Sequence, residues 1–150
     1  FGDCSATFKV GGVSAKAADL IEVAMLARDK GVEVAGPGIS MGDIGFAIEK
    51  FVTRRGYSPV REIGGHGIGR KFHDEPFVPS YGKKGRGERL VPWQCITMEP
   101  MVNEGVAANK ELDIPNSKIK IHTTADGKLS AQFEHTLLIT DKGCEILTLD

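Results

Sequence analysis

The sequence predicts an α+β fold, with helices gathered early in the chain and strands after them. Three observations carry this. The opening residues alternate polar and apolar with period two. Two segments with serine caps follow, each with apolar residues at helical spacing, and beyond Gly56 the chain breaks into short apolar runs separated by Gly, Pro and Asp turns. Helices segregated from an antiparallel sheet belong to the α+β class, not to alternating βαβ units.

Each element follows from its residues. In Asp3 to Val10, Asp3, Ser5 and Thr7 alternate with Cys4, Ala6, Phe8 and Val10, which predicts a strand with its apolar face on a core and Asp3 on the polar face. Gly11-Gly12 closes it. Ser14 is the N-cap of a helix to about Lys30, with Leu20, Val23, Ala24 and Ala27 on one face and Gly31 as its stop. After the break at Gly36-Pro37-Gly38, Ser40 caps a second helix, and Asp43 stands where a capping-box acid sits. Ile44, Ala47, Ile48, Phe51 and Val52 then recur at helical spacing until Gly56. Both helices read as core-packing scaffold.

Residues 57–63 read as a short strand leading to His66. Residues 80–88 read as a mobile, Gly- and Lys-rich loop, with Lys83, Lys84, Arg86 and Arg89 as solvated charges and not a polyanion site. Residues 90–102 form an apolar strand carrying Glu99, and Pro100 suits a strand edge beside a cleft because it lacks a ladder donor. Residues 118–124 and 128–140 are predicted to pair as a hairpin through Asp126-Gly127. Asp141-Lys142-Gly143 turns into a last strand, about Cys144 to Leu149.

Composition narrows the function classes. A chain of 150 residues is one domain or one large piece of one. It is 41% hydrophobic and 26% charged, as ordinary globular proteins are. A net charge of −1 gives no bulk attraction to nucleic acid or anionic membrane, and no apolar stretch approaches a membrane span of about 18 residues. Cys4, Cys95 and Cys144 are odd in number and lack C-x-x-C spacing, so they read as reduced thiols of a cytosolic protein. Cys4 adjoins Asp3, but strand alternation turns it to the opposite face. Phosphate loops, nucleophile elbows, RNA-binding signatures and internal repeats are not seen.

The chemistry resides in four separated signatures: Asp3 in Gly2-Asp3-Cys4-Ser5, His66 in Gly65-His66-Gly67-Ile68-Gly69-Arg70, Glu99 in Thr97-Met98-Glu99-Pro100, and Glu134 in Gln132-Phe133-Glu134-His135-Thr136. One imidazole with several carboxylates suits a harder divalent ion better than a thiolate zinc site would. Such a set supports hydrolysis by a metal-activated water. His66 alone, between glycines, would more often be a turn residue that uses their freedom to take positive φ or to let the backbone approach an ion. Glu134 alone would be a solvated strand residue. Thr97 and Glu99 share one face while Ile96 and Met98 face away, and Gln132, Glu134 and Thr136 share a face opposite Phe133 and His135.

Taken together, from Gly2 to about Thr148, these motifs resemble the type I methionine aminopeptidases. The matching stretches are Gly65-His66-Gly67-Ile68-Gly69-Arg70 with Phe72-His73 and Pro76, then Thr97-x-Glu99-Pro100, then Gln132-Phe133-Glu134-His135-Thr136. The 33-residue step from His66 to Glu99 leaves little room for the large insertion that type II enzymes carry between those ligands. The resemblance implies a pita-bread fold, here mainly its C-terminal half. It also implies removal of N-terminal methionine from peptides and nascent chains by a metal-activated hydroxide. Asp3, His66, Glu99 and Glu134 would be ligands of two divalent ions (Co, Mn, Fe(II) or Zn), with Glu99 also the proton shuttle. His73 would contact the substrate amide, and Phe72 would line the methionine pocket.

The family has a fifth ligand, an Asp about ten residues before Asp3, and an N-terminal half with a further substrate-side His. Residues 1–150 are therefore expected to be an N-terminally truncated catalytic metallopeptidase domain that binds metal weakly by itself. The complete enzyme is expected to be a cytoplasmic monomer, possible partner of the ribosome, with no nucleic-acid specificity and no membrane association. Two alternatives stay open: a non-catalytic pita-bread binding protein, and an Xaa-Pro exopeptidase of the same fold. His122 and His135 match no ligand position, His135 being read as a packing or supporting residue. Trp93 lies outside the family's usual pocket-rim position.

Overall fold

A computed structural model describes residues 1–117 and 120–149. Both predicted helix starts are present. Helix α1 spans Ala15–Val34, and the Ser14 hydroxyl accepts the Ala17 N–H at 3.1 Å. Helix α2 spans Met41–Arg54 with a full capping box: Ser40 Oγ accepts the Asp43 N–H at 3.2 Å, and Asp43 Oδ2 accepts the Ser40 N–H at 3.2 Å. Gly56, at φ 80°, ends the run after α2. The expected stop at Gly31 is corrected, since α1 continues to Val34. Gly31 is buried inside the helix, where a Cβ would lie 2.3 Å from Met98 Sδ, so its role is close packing.

The strands are β1 Ser58–Pro59, β2 Gly65–Gly67, β3 Asp74–Val78, β4 Cys95–Met98, β5 Met101–Asn103, β6 Asn109–Asp113, β7 Lys120–Thr124, β8 Ser130–Gln132, β9 His135–Ile139 and β10 Cys144–Ile146. They form a five-stranded sheet in the order β10-β9-β4-β2-β3, a three-stranded sheet β1-β5-β8 and the hairpin β6-β7. Every pairing is antiparallel. The helices bury Leu20, Val23, Ala27, Ile44, Ile48 and Val52 against Ile96, Met98, Val102, Leu137 and Ile139 of the sheets. That apolar layer leaves the opposite side of the sheets free for polar side chains.

Several strand expectations need correction. The single strand over 90–102 is two, because the chain passes from the five-stranded to the three-stranded sheet between Met98 and Met101. Pro100 therefore marks a sheet switch and not an edge, since β4 lies between β9 and β2. The chain passes back at Phe133-Glu134, between β8 and β9. Asp126-Gly127 does turn, with Gly127 at φ 73°, but it joins β7 to β8, and these lie in different sheets. The partner of β7 is β6, from Asn109↔Thr124 to Asp113↔Lys120. Residues 118 and 119 of the predicted strand lie outside the described residues. Only Ser58–Pro59 of the segment 57–63 is a strand.

The opening segment alternates as expected, but its faces are reversed. Asp3, Ser5 and Thr7 are half-buried against residues 132–136, while Phe8 is 81% and Val10 88% exposed. Polar-to-backbone hydrogen bonds decide this orientation. Thr136 Oγ1 accepts the Asp3 N–H at 3.0 Å and donates to Asp3 O at 2.8 Å, and Thr7 Oγ1 donates to Gln132 O at 2.7 Å. The segment pairs only at Ser5, by backbone bonds with Glu134. The loop at 80–88 is not free either. Its Arg86 and Glu88 carbonyls accept the Gly42 and Met41 N–H groups at 2.8 and 2.9 Å, and Asp43 Oδ1 accepts the Gly85 N–H at 3.0 Å.

Two glycines separate rigid from yielding surroundings. At Gly67 a Cβ would lie 2.0 Å from the Glu75 carbonyl oxygen, which is strand backbone. Gly67→Ala is expected to cost about 3 kcal/mol, the upper end for overpacking. At Gly31 the obstacle is the flexible end of Met98. Gly31→Ala is expected to stay within about 1 kcal/mol of the parent, because the gain in helix propensity is of that size. Urea unfolding of both variants checks the ranking; equal losses would contradict it.

Candidate metal centre

Strand β2 carries His66 between β3 and β4. Gly65 and Gly67 make that possible by close packing, since a Cβ at Gly65 would lie 2.2 Å from the Thr97 carbonyl oxygen. The expectation of positive φ around His66 is corrected: the positive-φ glycines of the chain lie elsewhere. His66 Nδ1 is 2.9 Å from the Gly67 carbonyl oxygen. A carbonyl only accepts, so Nδ1 carries the hydrogen, and in the neutral ring Nε2 presents its lone pair to the site.

Around Nε2 the acids gather. Ligand atoms of Asp3, His66 and Glu134 all lie within 4.8 Å of one another. Glu99 stands outside that mutual set but places Oε1 3.4 Å from His66 Nε2. Its oxygens are held from both sides: Thr97 Oγ1 donates to Oε1 at 3.0 Å and Gln132 Nε2 donates to Oε2 at 3.0 Å. Thr97 also accepts the His66 backbone N–H at 2.9 Å, so one hydroxyl fixes both groups. The sequence placed Thr97 and Gln132 on the faces of Glu99 and Glu134. The Thr97 donation, two residues along the same stretch of chain, follows from that shared-face spacing, whereas the Gln132 donation to Glu99 crosses between strands and was not legible in it.

Burial pushes the Glu99 carboxyl up to about 7, with the nearby Asp3 charge adding to it. Burial likewise pushes Glu134 up to about 7, with Glu99 and Asp3 next in importance. Glu134 is 5% exposed, and its Oε1 has no hydrogen-bond partner among the described residues. A buried carboxylate without a donor is costly unless a cation compensates it. The oxygen-rich donor set with one imidazole, the free Oε1 and the facing acceptors Nε2 and Glu99 Oε1 all fit a divalent cation.

His73 is exposed beside this cluster, with its ring centroid 4.4 Å from that of His66. Phe72 stacks edge-on against His73 at 4.7 Å and is 39% exposed. His66, His73, Asp74, Glu75 and Phe77 line an open cavity of about 320 Å³. The remaining flagged residues sit elsewhere. Cys4 is exposed, Cys95 and Cys144 are half-buried, and all three are free thiols. His122 lies on β7 facing Glu111, His135 Nδ1 pairs with Thr148 Oγ1 at 2.9 Å, and Trp93 is 70% exposed.

Residues 1–141 match the model of metallopeptidase family M24. The chain belongs to this family. It is 48% identical over 148 residues to methionine aminopeptidase A of Synechocystis, covering 99% of this chain and 57% of that protein. It is 45% identical over 151 residues to the methionine aminopeptidase of Rickettsia prowazekii, covering 99% and 56%. The chain thus spans rather more than half the length of these curated relatives. The crystal structure of the Rickettsia prowazekii protein matches with a TM-score of 0.90 at 44% identity over 99% of this chain and 58% of that one. An X-Pro aminopeptidase from Thermotoga maritima matches with a TM-score of 0.71 at 18% identity, which is a likeness of fold alone. The α+β class and the pita-bread architecture expected from sequence are those of the family. Members are metallopeptidases, and divalent metal use goes with membership.

Two predictions follow from the geometry. Thr97→Val keeps the shape but leaves the His66 N–H and Glu99 Oε1 without their partner. It is expected to cost about 1–3 kcal/mol in urea unfolding, the penalty for an unpaired buried polar group. Thr97→Ser should recover most of this, and a Val variant as stable as the parent would refute the pairing. The second concerns pH. Glu99 and Glu134 ordinarily titrate near 4.5 and here near 7, so between these values the folded chain binds more protons than the unfolded one. The metal-free chain is therefore expected to lose thermal stability as pH rises through that window. Added Mn(II) should remove the loss, and a flat or rising metal-free profile from about pH 5 to 8 would count against the buried acid pair.

Proposed function

We propose that residues 1–150 act as the catalytic metallopeptidase domain of a methionyl aminopeptidase, which removes N-terminal methionine from nascent proteins and peptides. The observation that carries this reading is the mutual 4.8 Å grouping of Asp3, His66 and Glu134, in which the buried Glu134 Oε1 has no hydrogen-bond partner among the described residues. Identity of 43–48% to methionine aminopeptidases supports the substrate class. In this reading Asp3, His66, Glu134 and Glu99 hold two divalent ions, of which Co, Mn, Fe(II) and Zn suit the donor set. Such ions supply a water that is nucleophilic near neutral pH.

The chain's own groups do the rest. Glu99, held at both oxygens by Thr97 and Gln132, would be placed to take a proton from such a water and deliver it to the leaving amine. His73, exposed at the mouth of the cavity, donates to the substrate amide and orients the scissile bond. Phe72 beside it offers an aromatic wall to the thioether of methionine. The protein works in the cytoplasm as a monomer, meeting nascent chains at the ribosome.

Cleavage of Met-Ala-Ser by the protein that carries this chain, with metal content measured in parallel, tests the reading. His66→Ala and Glu134→Ala should lower both metal occupancy and kcat, the latter at least about a hundredfold, since even outer contacts to ligands are worth 10–100-fold. His73→Ala should leave occupancy intact and lower kcat/KM. Turnover in metal-free protein, or metal loss in all three variants alike, would overturn this assignment. Cleavage of Xaa-Pro peptides in preference to Met-Ala-Ser would move the protein to the prolidase side of the family.

A further inference from the structure

On the far side of the helices, α1, α2 and the 80–88 loop enclose a groove of about 510 Å³ that shares no lining residue with the metal centre. Its floor is apolar: Val34, Ile39, Phe46 and Phe51 are all half-buried there. Lys30, Lys50, Arg54 and Lys84 stand around it. Lys50 and Arg54 are four residues apart on α2, so they lie one above the other along a single helix face. The ammonium groups of Lys50 and Lys84 lie over the Phe46 ring, 5.8 and 5.1 Å from its centroid.

Most of the positive charge at this groove lacks an ion-pair partner. Among the described residues, no ion pair engages Lys50, Arg54 or Lys84. Asp43 is the one acid lining the groove, and its oxygens already accept from Ser40 and Gly85. Lys30 alone is paired, with Glu33 at 2.7 Å in an exposed contact of little worth. The 80–88 loop that supplies Lys84 is fixed to the start of α2 by backbone bonds, so this cation is held in place at its root. On a chain of net charge −1, a rim of four cations around an apolar floor is a local feature and not a consequence of bulk composition.

We propose that this groove docks an acidic segment of a partner protein, one that inserts a large apolar side chain between α1 and α2 and places carboxylates on either side of it. The floor takes the apolar anchor, and Lys50 and Arg54 on one wall and Lys84 on the other meet the flanking acids. A nucleic acid would gain only from the cations and would leave the apolar floor unused, which is why a peptide is the better fit. The contact area is small, so the affinity belongs in the range of transient interactions, on the order of 10–100 μM.

Fluorescence anisotropy of a labelled acetyl-Glu-Asp-Glu-Leu-Phe-Glu-Asp-Glu amide, titrated with the chain, tests this. Saturable binding is expected. It should weaken at least tenfold when Phe in the peptide is replaced by Ala, and at least tenfold in the double variant Lys50→Glu/Arg54→Glu. The single variant Lys84→Glu, on an exposed side chain, gives the same test should the double variant melt early. Absence of saturable binding by the parent chain overturns the proposal. Equal binding of the peptide lacking Phe, or of an oligouridine of matched charge, also overturns it, because either result assigns the site to charge alone.

Discussion

Two carboxyl groups and an imidazole lone pair share a space with little water, and the arrangement of this chain follows from that constraint. Glu99 and Glu134 are 9% and 5% exposed, and His66 Nε2 sits 3.4 Å from a Glu99 oxygen. Without compensation such a grouping is repelled by its own charges and by the cost of leaving water. The chain answers in part with neutral donors. Thr97 and Gln132 each give one hydrogen bond to Glu99, yet Glu134 Oε1 receives none among the described residues. A cluster satisfied at one carboxylate and open at the other fits a compensating cation.

The sheets place these groups by switching partners. Both glutamates stand where the chain leaves one sheet for the other, Glu99 between β4 and β5 and Glu134 between β8 and β9. At such a seam the regular cross-strand ladder stops, and a side chain can point into the gap between sheets. The opening segment then crosses the seam and is fastened by Thr136 and Thr7, which brings Asp3 to the same place. Behind the seam the two helices supply the apolar layer, and Gly31 lets α1 approach close enough to touch Met98 of β4. The scaffold and the site are thus joined by one residue step, since Met98 faces the core and Glu99 the seam.

Much of this was legible in the sequence. The serine caps, the capping box and the helical spacing located both helices to within a few residues, because those signals are local. The residues Asp3, His66 and Glu134, far apart in sequence, do come together in space, and their short motifs were visible in the sequence. The strand partners were not. Asp126-Gly127 is a sound turn signal, and a turn is what it makes, but nothing local told β7 to pair with β6 behind it instead of with the strand ahead. The reversal of faces in Asp3 to Val10 has the same origin. A period of two says that the faces differ; which of them turns inward was decided by hydrogen bonds to residues more than 120 positions away. The fixed 80–88 loop likewise owes its order to the backbone of α2 and not to its own Gly-rich composition.

The raised titration of the two glutamates ties stability to occupancy in one further way. Burial raises both carboxyls to about 7, so on the proposed assignment a divalent ion bound there would displace protons near neutral pH. Alkaline conditions would then act in opposite directions, increasing the repulsion between the acids of the metal-free chain and favouring ion binding. The neutral donors Thr97 and Gln132 matter here because they hold Glu99 in the same place in either charge state, so that loading requires a proton to leave and not a strand to move. On the proposed assignment Glu134, with one oxygen unsupported among the described residues, would gain most from an ion, and compensation of its buried charge would join this chain's folding to its chemistry.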